Sequence, residues 1–296
     1  MVYVYIKGMK NVIWQTDDGV KTEFEKEYIM EVLLKGMVYE VIYDGGRCEV
    51  VKDESLIIYS CDESEVTEKF REYLTKFDRL GYRYYLLHLS NENLNHNFDY
   101  YINAVHVFRG YYDYRIKMDN VSVIPIGFKS LYFNRDRGNF DSVYGKKYIW
   151  SFIGQMKSDR EEMIFEMAGI EPHFKYFTKE WNCSSAMSVD SVIEVYKKTI
   201  FVPCPMGWIN PDSFRINEAL EWGCIPIVKR YNGEDYYKYV YGDHPFILVN
   251  EWSDACDIVN NLCLDMVKLE QIRKETYDWY DRFKLKLQQN IRRIVL

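Results

Sequence analysis

Short apolar runs alternate with amphipathic segments along the first half of the chain. Apolar residues recur at helical spacing over Glu23–Leu34 and Glu65–Leu80, and Gly81 stands where a helix-ending residue belongs. This alternation is typical of an α/β domain with a parallel sheet. The apolar runs predict strands at Val2–Ile6, Val12–Trp14, Val38–Tyr43, Leu56–Tyr59, Tyr84–Leu89, Ala104–Phe108 and Val121–Ile126.

A polar segment, Lys129–Lys147, interrupts the alternation, because it mixes glycines and charges without apolar periodicity. After it the pattern restarts, with Ser158 as the expected N-cap of the next helix. The predicted strands are Tyr148–Ile153, His173–Phe177, Thr199–Cys204, Ile225–Val228 and Phe246–Val249, and the predicted helices are Asp159–Met167, Val189–Lys197 and a tail from Ser253 with a break near Asp265. We therefore expect an N-terminal Rossmann-like domain (1–128), a linker (129–147), a C-terminal Rossmann-like domain (148–265) and a helical tail (266–296), with a cleft between the domains.

The segment Tyr196–Arg230 carries the strongest functional signal. A buried strand, Thr199–Cys204, leads through a loop rich in Pro, Gly and Asn into a helix, and Gly223 closes that helix before the strand Ile225–Val228. This is a β-loop-α-β unit of a parallel sheet. In such sheets ligands bind at the carboxyl ends of the strands.

The helix of this unit starts with Ser213 and Arg215, and Glu218 follows one turn later. Free amides at a helix N-terminus attract anions, and a hydroxyl and a guanidinium beside them suit a phosphate. Glu218 could accept hydrogen bonds from a ribose. The alternative is structural: residues 210–213 only cap the helix, and Arg215 and Glu218 form a surface ion pair. The position at a strand's carboxyl end favours the phosphate site.

Composition narrows the class of protein. The chain has 296 residues, 48% hydrophobic and 28% charged, which is typical of a globular protein. Its net charge of −7 argues against a nucleic-acid partner.

No apolar run is long enough for a membrane span, and the N-terminus does not resemble a secretion signal. Seven cysteines without Cys-x-x-Cys spacing indicate reduced thiols and no zinc, so a cytoplasmic location is expected. The 27 tyrosines suit a sugar-binding surface or simply build cores.

The second half of the chain resembles the exostosin family of glycosyltransferases. The family signature is an apolar strand, a Pro/Gly loop, Ser-x-Arg-x-x-Glu-Ala and Gly-Cys-Ile-Pro, and the resemblance extends over about residues 148–260. The matching segments are Phe201–Gly207, Ser213–Ala219, Gly223–Pro226, Phe152–Gly154 with Arg160, and Pro245–Phe246. Looser matches in the first half, His88–Asn93, Val107–Tyr112 and Val123–Gly127, are similar to a small soluble branch of the family that includes xylosyltransferases and occurs in bacteria and large algal viruses.

The resemblance implies a GT-B fold, with the donor held by the second domain and the acceptor by the first. It implies inverting transfer of a sugar, with xylose and uridine as the expected sugar and base, from a nucleotide-sugar to a saccharide hydroxyl. No metal and no cofactor are expected, and the chain contains no Asp-x-Asp motif. Arg215 is then the first choice to neutralise the leaving diphosphate, with Arg160 and Arg109 as further candidates. The donor-binding residues that follow are Ser213, Arg215, Glu218, Arg160, Gly154, Arg109 and Pro205.

Inversion requires a general base, which should lie in the first domain at a strand's carboxyl end. Three residues of the first half qualify: Glu92, His88 and Asp113. Each has an ordinary alternative, since His88 could be a core histidine, Glu92 a solvated loop charge and Asp113 a turn former. Glu92 is the preferred candidate among the three.

A second class of function remains open, namely a non-catalytic module that binds a nucleotide-sugar or a saccharide on the same fold. An intact base beside an intact phosphate site would distinguish the enzyme from the module. Other enzyme classes lack their motifs here, because the chain has no Gly-x-Gly-x-x-Gly after a strand, no complete phosphate loop and no Gly-x-Ser-x-Gly.

Overall fold

The computed structural model describes residues 11–15, 25–60, 68–94, 98–129, 131–132, 142–180 and 184–296. The chain divides into two compact units. The first unit combines Met1–Ile126 with Lys284–Leu296, and the second unit is Gly127–Phe283. The predicted strand Val2–Ile6 and most of the predicted linker lie outside the described residues.

The first unit contains a six-stranded sheet of order β2-β1-β3-β4-β5-β6, in which each pair of neighbouring strands is parallel. All six residues of β4 and five of the six in β3 are buried, which is typical of parallel strands covered on both faces. The strands are β1 (Asn11–Trp14), β2 (Glu40–Tyr43), β3 (Ser55–Ser60), β4 (Tyr84–Leu89), β5 (His106–Arg109) and β6 (Val121–Val123).

Two helical segments of the first unit were predicted from apolar spacing. The first, α1 (residues 25–33), begins as an α-helix and continues as the π-helix Ile29–Leu33. The second, α2 (Glu68–Leu80), buries Phe70, Tyr73, Leu74 and Phe77 from one face into the core of the unit. Gly81 ends this helix with a φ of 66°, as predicted, because glycine adopts that conformation without strain.

The second unit contains a five-stranded parallel sheet of order β11-β10-β9-β7-β8. In this order the carboxyl ends of β7, β9 and β10 lie side by side at one edge of the sheet. The strands are β7 (Tyr148–Gln155), β8 (His173–Thr178), β9 (Thr199–Pro203), β10 (Ile225–Lys229) and β11 (Ile247–Val249), and the helices are α3 (Arg160–Glu166), α4 (Val189–Lys197), α5 (Phe214–Glu221), α6 (Tyr236–Tyr241), α7 (Trp252–Cys263) and α8 (Met266–Val295).

The predicted break near Asp265 is confirmed, because α7 ends at Cys263 and α8 begins at Met266. The division between the units crosses α8, whose last residues belong to the first unit. There Gln288 donates a hydrogen bond from Nε2 to the carbonyl oxygen of Lys35, at 2.7 Å. None of the helices in the described residues combines the length and the apolar character needed to cross a membrane.

Ser158 does not cap the helix that follows it, so this prediction is wrong. Helix α3 begins at Arg160 with Asp159 in the N-cap position, and Ser158 is exposed with a φ of 54°. The carboxylate of Asp159 makes no cap bond because it accepts hydrogen bonds from the amide of Met206, at 3.1 Å, and from Nε1 of Trp252, at 2.8 Å. Tertiary contacts therefore override the local capping preference at this turn.

Candidate functional site

The β-loop-α-β unit predicted from the sequence is present in the second unit. Strand β9 is buried along its whole length, and α5 follows it after the loop that starts at Cys204. The chain then reverses at Gly223, whose φ is 69°, and the amide of Cys224 bonds the carbonyl oxygen of Ala219 at 2.9 Å. This Gly-ended turn returns the chain directly into β10. The start of α5 is thereby held at the carboxyl edge of the sheet.

Ser213 occupies the N-cap position of α5 in an extended conformation, with φ −148° and ψ 152°. Its hydroxyl does not bond the backbone of the first turn, and among the described residues its buried Oγ has no hydrogen-bond partner. Amides in the first turn of a helix have no acceptor within the helix. The helix start therefore combines a buried hydroxyl with backbone donors, which is the chemistry that binds an anion.

Arg215 lies against Gly154, at the carboxyl end of β7. Its Nη2 donates to the carbonyl oxygen of Ile153 at 3.1 Å, and its guanidinium stands 4.6 Å from the ring centroid of Phe152. A Cβ atom on Gly154 would come within 2.7 Å of Nη2. A side chain at this position would therefore force the guanidinium to shift from where it lies. In the described part of the chain, Nε and Nη1 of Arg215 are buried without a hydrogen-bond partner, so two donors remain for a ligand.

Glu218 lies one turn along α5 and is close enough to Arg215 for their charges to interact. Burial of its carboxyl group raises the pKa of Glu218 to about 7, and the positive charge of Arg215 opposes that rise. The backbone amide of Lys129 donates to this carboxylate, and the Lys129 ammonium adds a further positive charge. Burial in turn lowers the pKa of Lys129. A carboxyl that titrates near neutrality thus sits beside two cations.

We call Gly154, Ser213, Arg215 and Glu218 the anion cradle. Arg160 and Pro205 belong to the loops beside it. Arg160 is buried and donates to the carbonyl oxygens of Gln155, at 2.7 Å, and Met206, at 2.9 Å. It therefore ties the loop after β7 to the loop after β9, which contains the buried Pro205. These contacts describe an arginine that fixes the backbone around the cradle.

A cavity of about 170 Å³ opens at the same edge of the second sheet. One of its lining residues, Lys229, is held by ion pairs with Glu251, at 2.6 Å, and Glu162, at 3.4 Å. Its further lining residues come from the loops after β7, β9 and β10 and from α6: Asp159, Cys204, Met206, Pro211, Arg230, Tyr231 and Tyr237. Gly154, Ser213, Arg215 and Glu218 are not among the residues that line this cavity.

A chain of buried hydrogen bonds anchors the start of α5. Tyr280 donates to Oδ1 of Asn217 at 3.4 Å, and Asn217 donates from Nδ2 to the hydroxyl of Tyr241 at 2.9 Å. That hydroxyl donates to Oδ1 of Asp212 at 3.1 Å. Asp212 immediately precedes Ser213, so α8 and α6 fix the backbone that enters the cradle.

The candidate bases lie in the first unit, and two of them are held by neighbours. His88 is 1% exposed, and its Nδ1 is 2.5 Å from the Tyr101 hydroxyl and 3.3 Å from the Tyr100 hydroxyl. Burial alone would raise the pKa of Asp113, but hydrogen bonds from Arg115, the shortest 2.6 Å, hold it below the usual range. Such a paired carboxylate is a weak base.

Glu92 and Arg109 also lie at the carboxyl edge of the first sheet. Glu92 is half-buried on the turn that follows β4. Arg109 is fully buried, donates from Nε to the carbonyl oxygens of Gly110 and Tyr111 at 3.1 Å each, and stands over the ring of Phe98. Of the seven predicted donor residues, Arg109 is the one that belongs to the first unit.

Two charged residues with unusual surroundings were missed by sequence reasoning. Lys129 was assigned to the linker. It follows the apolar run Val121–Ile126 after only Gly127 and Phe128, and a cation so close to the end of a predicted strand could have been recognised as a candidate for a site. Glu25 was placed in a helix without a role, and its burial at 2% exposure gives no local signal in the sequence. Among the described residues, no three His, Cys, Asp or Glu side chains come together as a metal site.

Similar folds occur in glycosyltransferases of low sequence identity. An α1,3-fucosyltransferase superimposes with a TM-score of 0.54 at 12% identity over 100% of this chain and 93% of its own. A T4 phage BGT mutant in complex with UDP-glucose gives 0.52 at 14% identity, over 97% and 99%. HepE of Anabaena in complex with UDP gives 0.51 at 12% identity, over 96% and 98%. These neighbours confirm the predicted GT-B fold.

Sequence comparison gives the family. No curated protein sequence matches this chain significantly. The family profile described as the RXYLT1 C-terminal domain matches residues 134–296, which is more than half of the chain and includes the whole cradle from Gly154 to Glu218. The chain therefore belongs to the RXYLT1 C-terminal domain family and has a GT-B fold.

Proposed function

We propose that this protein is a glycosyltransferase that moves a sugar from a nucleoside diphosphate to a saccharide hydroxyl, with inversion at the anomeric carbon and without a metal ion. One observation carries the proposal. The Arg215 guanidinium is buried against a glycine with two unsatisfied donors, beside the open N-terminus of α5 and the buried hydroxyl of Ser213. Such a concentration of donors suits a diphosphate.

The chemistry follows from the charge that develops during transfer. As the acceptor oxygen bonds to the anomeric carbon, the bond from that carbon to the diphosphate breaks and the diphosphate keeps the electron pair. Arg215 and the first-turn amides of α5 stabilise this negative charge, which is the role a cation has in other transferases. Glu218 would accept hydrogen bonds from the ribose hydroxyls, and Lys129 balances its charge.

Uridine and xylose are the proposed base and sugar of the donor. The support is threefold: the exostosin-type signature around Ser213, the xylosyltransferase-like segments near His88 and Arg109, and membership in the RXYLT1 C-terminal domain family. Two similar folds are seen with UDP or UDP-glucose.

The experiment that tests the proposal is the substitution Arg215→Ala. Calorimetry with UDP and GDP should show binding by the wild type, and the variant should bind at least about a hundredfold more weakly, since a buried charge-assisted contact is lost. Transfer should fall with it. Arg282→Ala, an exposed arginine on α8, is the matched control and should keep wild-type affinity.

Two outcomes would contradict the proposal. Wild-type affinity and turnover in the Arg215→Ala variant would remove the assignment of the cradle. Nucleotide binding by the wild type, without hydrolysis or transfer for any donor sugar, would identify a binding module in place of an enzyme.

A further inference from the structure

The end of α8, residues 284–296, carries positive charge only. It contains two lysines and two arginines and no aspartate or glutamate, in a chain whose net charge is −7. The acidic residues of α8 all precede this segment: Glu270, Glu275, Asp278 and Asp281. The helix end is therefore locally cationic, although the chain as a whole is negative.

The cations of this segment share an exposed face with two leucines. Leu285 is 52% exposed and Leu296 is 38% exposed. Spacings of three, four and seven residues place exposed positions on one side of the helix, whereas Ile291 and Val295 are buried on the other. We call the exposed set the cationic face: Leu285, Lys286, Arg292, Arg293 and Leu296. Within the described part of the chain, its lysine and its two arginines form no ion pair.

The opposite side of the segment fixes it to the first unit. Gln288 donates from Nε2 to the carbonyl oxygen of Lys35 at 2.7 Å, and both residues belong to that unit. Ile291 and Val295 are only 2% and 6% exposed. The exposed Lys35 therefore brings a further positive charge to the neighbourhood of the segment. The first unit thus presents the cationic face to solvent on an anchored helix.

Helix stability explains only part of this pattern. Cations in the last turn of a helix interact favourably with the negative end of its dipole, and Arg292 and Arg293 stand in that turn. Lys286 lies before the last turn, where the effect has faded. The dipole also gives no reason for the exposed leucines beside the cations. A ligand with both anionic and apolar parts would account for all five positions.

We propose that the cationic face binds the surface of a membrane that contains anionic lipids. The lipid headgroups would pair with Lys286, Arg292 and Arg293, and the two leucines would enter the boundary between headgroups and acyl chains. An acidic polysaccharide or a nucleic acid would satisfy the cations but leave both leucines in water. A lipid surface therefore fits this face better. The proposal is independent of the transferase function.

The negative net charge of the chain does not oppose such binding. At physiological salt, exposed charges separated by more than about 8 Å are largely screened from one another. A headgroup therefore responds to the cations next to it and only weakly to acidic residues elsewhere on the protein. The same screening weakens the attraction itself, so binding to vesicles should decrease as salt is raised from about 0.1 M to about 1 M.

The test is cosedimentation of the full-length protein with vesicles of phosphatidylcholine and phosphatidylserine. The wild type should bind these vesicles and not vesicles of phosphatidylcholine alone. The triple variant Lys286→Gln/Arg292→Gln/Arg293→Gln should bind about a hundredfold more weakly, because each cation near an anionic surface contributes about fivefold. All three side chains are exposed, so the variant should stay folded, which a thermal melt checks.

The matched control removes the same charge from other exposed positions. Arg79→Gln/Lys268→Gln/Lys274→Gln changes the net charge equally, and Arg79 stands in the last turn of α2 as the two arginines do in α8. This variant should bind the vesicles like the wild type. An equal loss in both triple variants would mean that net charge governs binding, and the proposal would be wrong.

The leucines distinguish a lipid surface from an anionic polymer. Leu285→Ser/Leu296→Ser should weaken vesicle binding at least about tenfold, because the apolar side chains no longer leave water. The same variant should keep any affinity of the wild type for heparin or duplex DNA. If the wild type binds heparin or duplex DNA but not the vesicles, the face binds an anionic polymer and the proposal fails. Wild-type vesicle affinity in the Lys286 triple variant would overturn it as well.

Discussion

The contact between Gly154 and Arg215 joins two residues that are 61 positions apart in the sequence. Together they give one geometry, in which the guanidinium lies against the end of β7 and its Nη2 donates to the carbonyl oxygen of Ile153. A side chain at 154 would meet Nη2 at 2.7 Å, so the arginine would have to move away. The geometry of the cradle therefore depends on glycine at position 154 as well as on the arginine at position 215.

Gly154→Ala should disable the cradle without removing any polar group. The added methyl displaces Arg215, and we expect UDP affinity to fall at least tenfold in calorimetry while the protein remains folded. Gly169→Ala is the control, because a Cβ there meets nothing within 4 Å. Equal affinities of both variants would mean that Arg215 does not hold the diphosphate in this position.

Glu218 gives opposite pH trends for binding and stability. Burial raises its pKa in the folded protein from the ordinary 4.5 to about 7, so the folded state binds more protons and the free energy of unfolding falls as pH rises through about 7. The ionised form accepts stronger hydrogen bonds, so UDP affinity should rise about tenfold over the same range. Calorimetry and thermal melts between pH 6 and 8 measure both.

Glu218→Gln should flatten both trends, because the amide does not titrate. A pH dependence of UDP affinity that persists in this variant would place the titrating group elsewhere, Lys129 being the nearest alternative.

At the scale of residues, spacing in the sequence is informative only within one element. Ser213, Arg215 and Glu218 lie on one helix, so their proximity follows from a periodicity of 3.6 residues. The partnership of Arg215 with Gly154, and of Ser90 with Glu25 across 65 positions, depends on which strand ends become neighbours. A single sequence does not state that order.

At the scale of elements, α5 is held by side chains from two other helices. The hydroxyl of Tyr241, on α6, is the centre of the buried chain, since it accepts from Asn217 and donates to Asp212. Tyr280, on α8, bonds the other end of Asn217. Tertiary hydrogen bonds thereby hold the backbone at the start of α5 in place.

Tyr241→Phe should weaken this anchor. Loss of a buried hydroxyl that makes two hydrogen bonds costs about 1–3 kcal/mol of unfolding free energy, measured by urea denaturation. UDP affinity should fall in parallel, because Asp212 directly precedes Ser213. Tyr239→Phe, which removes the hydroxyl of an exposed tyrosine, should change neither quantity measurably. A stable Tyr241→Phe variant with wild-type affinity would show that the anchor is dispensable.

The elements themselves were largely predictable, because parallel strands buried on both faces appear as continuous apolar runs. The errors are at their ends. Strand β2 starts at Glu40 and not at Val38, whose side chain is 92% exposed, and helix α3 starts one residue later than its expected cap allowed. In both cases the sequence pattern placed the start of the element too early. The side chain of Val38 is in solvent, and the carboxylate of Asp159 is engaged in tertiary contacts.

At the scale of the whole molecule, the chain builds one sheet per unit, and each sheet carries its candidate chemistry at the carboxyl edge of its strands. The second unit holds the anion cradle, and the first holds Glu92 and Arg109. The sequence predicted two such units from the interruption at Lys129–Lys147. It did not predict that the end of α8 belongs with the first.

That sharing of α8 has a consequence for biosynthesis. The second unit is continuous from Gly127 to Phe283, whereas the first needs Lys284–Leu296 as well as its own strands. Residues 284–296 follow the second unit in the chain, so the hydrogen bond from Gln288 to Lys35 forms only after the whole second unit has been synthesised. The first unit, whose strands are synthesised first, is therefore completed only after the second.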